Sequence, residues 1–185
     1  MDKEKAKKML FDVADIIEDI GLMFFLSDGT CLGAHREHDF IDTDTDIDIK
    51  MLAEDFVPNC KRLINGFSKA GYKVNRAGDA LRFTNILVVG DKLLHLDLLS
   101  LFLIDDKRWL PGKKKSLVYP ARLFDTPRQI DFLGRRFYVP TPVEEYLELT
   151  YGADYMTPKV GLSYPEQTIG YVNKRIISIM EEMKE

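Results

Sequence analysis

Apolar residues at Met9, Leu10, Val13, Ile16, Ile17 and Ile20 recur at helical spacing until Gly21, which predicts a first helix that stops there. Leu22 to Leu26 forms a short apolar run and predicts a buried strand. Ser27-Asp28-Gly29-Thr30 reads as a tight turn, with a helix from Cys31 to Glu37. Residues 45–51 alternate polar and apolar, placing Ile47, Ile49 and Met51 on one side of a half-buried strand. A helix from about Ala53 to Ala70 follows, ended by Gly71. Strands are predicted at Tyr72–Asn75, Leu81–Val89 and Leu93–Ile104. The last of these carries a single acid, Asp97, among apolar neighbours. Arg128–Pro140 reads as a hairpin around Gly134-Arg135. Pro142 opens a helix with Glu144 and Glu145 in its first turn, and Gly152 closes it. Glu166 to Met183 predicts a final helix. Helices and strands interleave irregularly, so the class is α+β, a mixed sheet flanked by helices.

Composition narrows the picture. The 185 residues suit one domain over 1–185, large enough to bury a core without staples. Two cysteines, Cys31 and Cys60, are too few for a disulfide scaffold and lack CxxC spacing. No apolar run approaches the roughly 20 residues that span a bilayer. The charged start, Met1 to Lys8, leads straight into the amphipathic pattern and does not read as a signal peptide. A cytoplasmic setting is the expectation. Lysine and arginine number 26 against 30 acids, a net charge of −4, which argues against a surface that coats nucleic acid.

The acids are concentrated. Asp39, Asp42, Asp44, Asp46 and Asp48 fall within ten residues, four of them alternating. On a strand, residues two apart share a face, with successive carboxylates roughly 6.5–7 Å apart. Nothing basic alternates with them, so they repel unless water or a divalent cation lies between. A solvated acidic edge is the simplest reading of any charge run. The interleaved Ile41, Ile47 and Ile49 argue for a segment packed on its other side, and hence for a metal platform.

An EF-hand loop starting at Asp42 fails, because position six is Ile47 and position twelve is Ala53. No GxxxxGK[ST] phosphate loop occurs. A DxD glycosyltransferase remains an alternative, though the helical start does not supply a nucleotide-binding βαβ unit. Two-metal phosphoryl transfer needs carboxylates that hold Mg²⁺ or Mn²⁺ on either side of the reacting phosphorus. Asp46-Ile47-Asp48-Ile49 offers two, and His95-Leu96-Asp97-Leu98 a third. Gly29-Thr30, at a helix start, can present backbone N–H groups to phosphate. Together these are the parts of the nucleotidyltransferase (polymerase β-like) superfamily.

The resemblance is narrower than the superfamily. Gly29-Thr30-Cys31-Leu32-Gly33, Arg36, Phe40-Ile41 and Asp44-Thr45-Asp46-Ile47-Asp48-Ile49 are similar to the LicD/fukutin signature G-T-x-L-G-x-x-R-x-x-x-F-I-x-x-D-x-D-h-D-h, without a gap. Val139-Pro140-Thr141-Pro142, Glu144, Tyr146-Leu147, Tyr151-Gly152 and Thr157-Pro158 resemble a second block of that family. Asp42-Thr43 departs from it, standing where members often have Pro-Trp. The resemblance implies transfer of a phosphorylated alcohol, such as phosphocholine or a polyol phosphate, from a CDP-linked donor to a hydroxyl of a glycan or other acceptor. It implies that Asp46, Asp48 and Asp97 are catalytic and bind Mg²⁺, that Arg36 contacts phosphate, and that Gly29 and Thr30 face the diphosphate. A nucleotidyltransferase that moves a nucleotidyl group and releases pyrophosphate would use the same three acids.

Other residues carry weaker signals. Asp44 reads as an outer partner that orients a ligand. Arg36 can also simply pair with Glu37 or Asp39. His95 shares the Asp97 face and serves equally as a structural or a catalytic group. The Lys113–Lys115 run reads as a solvated loop. Asp97 has no lysine or arginine within four residues, so its partner must come from elsewhere in the fold.

Overall fold

The computed structural model describes residues 1–77, 86–90, 93–112, 116–158, 165, 168–170, 177–178 and 182. The first helix, α1 (Lys3–Asp19), starts at Asp2, whose carboxylate accepts from the Lys5 N–H. It leads into β1 (Phe25–Leu26), α2 (Asp28–Arg36), β2 (Ile47–Leu52) and α3 (Ala53–Lys69). Next come β3 (Val74–Ala77), β4 (Ile86–Gly90) and β5 (His95–Ile104). Then follow β6 (Lys107–Leu110), β7 (Ser116–Pro120), the short α4 (Arg122–Asp125), the hairpin of β8 (Arg128–Phe132) and β9 (Arg135–Val139), α5 (Val143–Tyr151) and β10 (Ile169–Gly170).

Among the described residues the strands form one mixed sheet, ordered β10-β7-β6-β5-β2-β1-β9-β8, with β4 also paired to β5 and β3 to β4. Its centre is the parallel pair of β2 and β5, in register Ile47↔Leu96, Asp48↔Asp97 and Ile49↔Leu98. Ile47, Ile49, Leu96 and Leu98 are fully buried. Each buried side chain of this size contributes about 1.5–3 kcal/mol relative to exposure. The helix α3 lies against β2 and β5, and α1 packs on α3. There Gly66 leaves room for the Ile16 methyl, which a Cβ would meet at 2.6 Å. The alternate residues of β2 and β5 point to the other face of the sheet, where α2 and α5 gather.

The α+β reading holds, with four departures. The helix α2 starts at Asp28 and not at Cys31, so Gly29 and Thr30 belong to its first turn. The strand β2 begins only at Ile47, so Asp42, Asp44 and Asp46 precede it in a turn-rich loop and do not line one strand face as expected. Strands β6 and β7 fall outside the expected elements; β6 (KRWL) opens on two charges, β7 (SLVYP) is short and ends on a proline, and neither alternates clearly. Ile169–Gly170 pairs with β7 as a strand where periodicity predicts helix. Most of the remaining 166–183 stretch, the Lys113–Lys115 run and residues 81–85 lie outside the described residues.

Candidate active site

Backbone hydrogen bonds fix Asp48 before any ligand is considered. Its N–H donates to Thr30 Oγ1 at 2.9 Å, and its carbonyl accepts from the Ser27 N–H at 3.1 Å. The start of α2 is thus fastened to the start of β2 on both sides of one residue. Thr30 is buried and its hydroxyl is committed to this clamp; of the Gly29-Thr30 pair, only Gly29 lines the neighbouring cavity. The expectation that both face a diphosphate is therefore narrowed to Gly29. A Cβ at Gly29 would collide with the Asp44 carboxylate, so the glycine makes room for that acid.

The cavity has a volume of about 760 Å³. Asp44, Asp46, Asp48 and Asp97 line it together with four further acids, Asp28, Glu37, Asp42 and Asp154. The remaining lining includes Arg36, the apolar Leu32, Ile41, Leu99 and Leu110, and Tyr151 and Tyr155 of the segment after α5. Burial first, and then a hydrogen bond and repulsion from Asp46, raise the Asp44 carboxyl to about 6. Burial and the charges of Asp28 and Asp46 push Asp48 well above the usual carboxylate range, against the pull of Lys50. Asp97 is raised too, by burial and by Asp46, with His95 acting against the shift. Asp97 Oδ1 is buried without a hydrogen-bond partner. Clustered acids of this kind store repulsion that a cation would relieve. Asp46, His95 and Asp97 each offer one ligand atom within 4.8 Å of the others, so the residues present fit a divalent cation.

Arg36 ends α2 with its side chain nine-tenths buried. Nη1 donates to the Tyr155 carbonyl at 2.9 Å and Nη2 to Glu37 at 2.7 Å, while Nε has no partner. The pairing with Glu37 and the position on the cavity wall therefore coexist. Asp42 takes a different role: with Asp39 it binds Lys3, at 2.6 and 2.9 Å.

Sequence reading missed a buried charge network below the cavity. Lys50, fully buried, donates to Asp28 Oδ2 at 2.5 Å and to the Tyr146 hydroxyl at 2.9 Å. It also lies over the rings of Tyr119 and Tyr146, at 5.4 and 5.5 Å. The Asp28 N–H donates back to Tyr146 Oη at 3.1 Å. The expectation that nothing basic alternates with the aspartates is thus corrected: Lys50 follows Asp48 two places on along β2, and its charge offsets that of Asp28. The signal was the lysine two places after Asp48 in a strand too apolar for an exposed one.

A sequence profile of the LicD/FKTN/FKRP nucleotidyltransferase domain matches residues 21–142, from β1 through the cavity-forming strands to the start of α5. The chain belongs to this family. Ribitol-5-phosphate transferase FKTN of Mus musculus is 27% identical over 166 residues, which cover 84% of this LicD-family chain and 34% of that protein. Ribitol 5-phosphate transferase FKRP of Mus musculus is 26% identical over 150 residues, 76% of this chain and 30% of that protein. The LicD-family chain thus spans about a third of the length of these relatives. The solution structure of the antibiotic-resistance factor ANT(2'')-Ia shares the fold, with a TM-score of 0.55 at 13% identity over 99% of this chain and 84% of that one. No helix among the described residues of the LicD-family chain is long and apolar enough to cross a membrane.

Proposed function

We propose that the chain transfers a phosphorylated alcohol from a CDP-linked donor to a hydroxyl of a glycan or similar acceptor, with a divalent cation at Asp46, Asp48 and Asp97. Mg²⁺ is the expected ion, with Mn²⁺ able to replace it. The observation that carries the reading is the convergence of Asp46 from the loop before β2, Asp48 from β2 and Asp97 from β5 on one cavity that also holds Arg36. Family membership and the names of the relatives support it.

The cation, when bound, supplies the positive charge that an anionic diphosphate needs in order to approach an acid-lined cavity. Gly29, at the first turn of α2, lines the cavity at a helix start, where backbone N–H groups can face a phosphate once the Asp44 carboxylate beside it moves aside. Thr30 acts one step back, holding the Asp48 backbone in place. Arg36 lines the cavity, where its guanidinium supplies a positive charge for a phosphate group. The acceptor oxygen attacks the phosphorus bearing the alcohol, the bridging P–O bond breaks, and CMP leaves with the electron pair. The hydroxyl proton passes to a carboxylate; Asp97 lines the cavity and burial raises it above the usual carboxylate range, which suits that role. No covalent enzyme intermediate is required.

Incubation with CDP-linked alcohols and nucleoside triphosphates, following CMP and pyrophosphate separately, tests the reading. CMP release from a CDP-linked donor in the presence of Mg²⁺ supports it. Pyrophosphate release alone would replace it with nucleotidyl transfer.

A further inference from the structure

The parallel register of β2 and β5 pairs more than Asp48 with Asp97. Ile47 lies opposite Leu96, so one step back Asp46 reaches the level of His95, and both precede the apolar residue that starts the buried rungs. Asp48 therefore stands against Asp97 on the two strands, and the bend at Asp46, just before β2, brings that acid close to His95 at the start of β5. His95 opens β5 opposite Gly90, the last residue of β4. Gly90 has φ +118°, and a Cβ there would meet the His95 Cα at 3.0 Å, so the glycine allows the two strand ends to close around this position.

His95 Nε2 lies 3.8 Å from Asp46 Oδ2 and 4.0 Å from Asp97 Oδ1. Both separations are too long for hydrogen bonds. They are the right length for two donors of one ion: donor distances of about 2.0–2.2 Å place a cation's ligands no more than about 4.4 Å apart. Asp97 Oδ1, the atom facing the imidazole nitrogen, is the buried oxygen that lacks any other partner.

We propose that His95 is a nitrogen ligand of the cation shared by Asp46 and Asp97, and that it biases the site towards Mn²⁺ and later first-row ions over Mg²⁺. The inference rests on the cation-binding part of the reading above. An all-oxygen shell suits Mg²⁺, whereas an imidazole favours ions that accept nitrogen donors. An imidazole nitrogen also adds a ligand without adding a further negative charge to a crowded site.

Mn²⁺ alone, without donor or acceptor, is the probe. Calorimetric titration of the whole chain with Mn²⁺ and Mg²⁺ is combined with electron spin-echo spectroscopy of the bound Mn²⁺. Wild type is expected to bind Mn²⁺ more tightly than Mg²⁺ and to show nitrogen modulation of the echo. His95→Asn should remove the modulation and weaken Mn²⁺ by about tenfold or more, the scale at which altered coordination is felt, with a smaller effect on Mg²⁺. His95→Asp should restore binding with the preference moved towards Mg²⁺. Mn²⁺ uptake without nitrogen modulation overturns the ligand assignment and leaves the proposed function standing. Tighter Mn²⁺ binding in His95→Asn does the same, since it would make the ring a competing positive charge. No uptake of either ion by wild type overturns both.

Discussion

Asp48 of β2 and Asp97 of β5 sit directly opposite each other across two parallel strands, in register. Their strands are parallel neighbours, so neither acid can turn to the apolar side, where Ile47, Ile49, Leu96 and Leu98 are packed. Burial raises both carboxyls above the usual range. The geometry forces the charges together and leaves their relief to something bound.

Asp97→Asn should separate structure from chemistry. The amide keeps the shape and removes one of the crowded charges, so the melting temperature in EDTA should stay level or rise. It cannot take a proton, and the rate of CMP release should fall about 10²–10⁴-fold, the usual contribution of a general base. Thermal melts and the release assay check both halves. Turnover near wild type would end the role of Asp97 as base.

The pH dependence follows from the same acids. Asp44 titrates near 6 in the folded chain against an ordinary value of 3.8, because burial and Asp46 disfavour its charge. Between these values the folded state binds more protons than the unfolded one, so stability without cation falls as pH rises from about 4 to about 7. Asp48 and Asp97 are shifted in the same direction. Acids held low by lysine or arginine, such as Asp39 and Glu145, act in the opposite sense below this window. Cations compete with protons for these oxygens, so the melting shift on adding Mg²⁺ should be small at pH 5 and grow through pH 6. Melts across pH with EDTA or Mg²⁺ measure it, and Asp44→Asn should flatten the EDTA slope. An unchanged slope in that variant would remove Asp44 from the account.

The strands that matter most were legible because their patterns are strict. Asp46-Ile47-Asp48-Ile49 and His95-Leu96-Asp97-Leu98 each alternate, and alternation states which residues share a face. The pairing of those strands was legible only as a requirement, since a lone acid in an apolar run needs a partner. Position along the loop was not legible. Asp42 and Asp44 continue the alternation in sequence, yet turn residues end the strand before them, and Lys3, distant in the chain, claims Asp42. Lys50 escaped notice because a lysine is normally solvated, and the two tyrosines that let it be buried come from β7 and α5.

Breaking the Lys50 network should cost far more than removing it. Lys50→Met leaves Asp28 buried without its cation and should destabilise by about 3–5 kcal/mol. In Lys50→Met with Asp28→Asn both charges are gone, and asparagine tolerates the positive φ of 42° held by Asp28. The double variant should recover most of the loss. Urea unfolding of wild type, both single variants and the double variant gives the coupling. Additive losses would show that Lys50 acts through packing alone.

Gly29→Ala tests whether the space beside Asp44 matters to the site or only to the helix. Gly29 lies in the first turn of α2, where alanine should do no harm to the backbone and is the better helix former by up to about 1 kcal/mol. The new methyl must displace the Asp44 carboxylate, the free end of a side chain, so the fold can yield at little cost. Cation-free stability should therefore hold or rise slightly. Asp46 lies close enough to Asp44 to raise its carboxyl, and pushing Asp44 aside should disturb that acid. The melting shift caused by Mg²⁺ should shrink, and the KM for the donor should rise. Gly29→Val, with two more methyl groups at the same point, should deepen both effects. The two readings part on one comparison. Lower stability with an unchanged cation shift would make Gly29 a packing residue, whereas intact stability with a weakened shift places Asp44 and Gly29 in the working site.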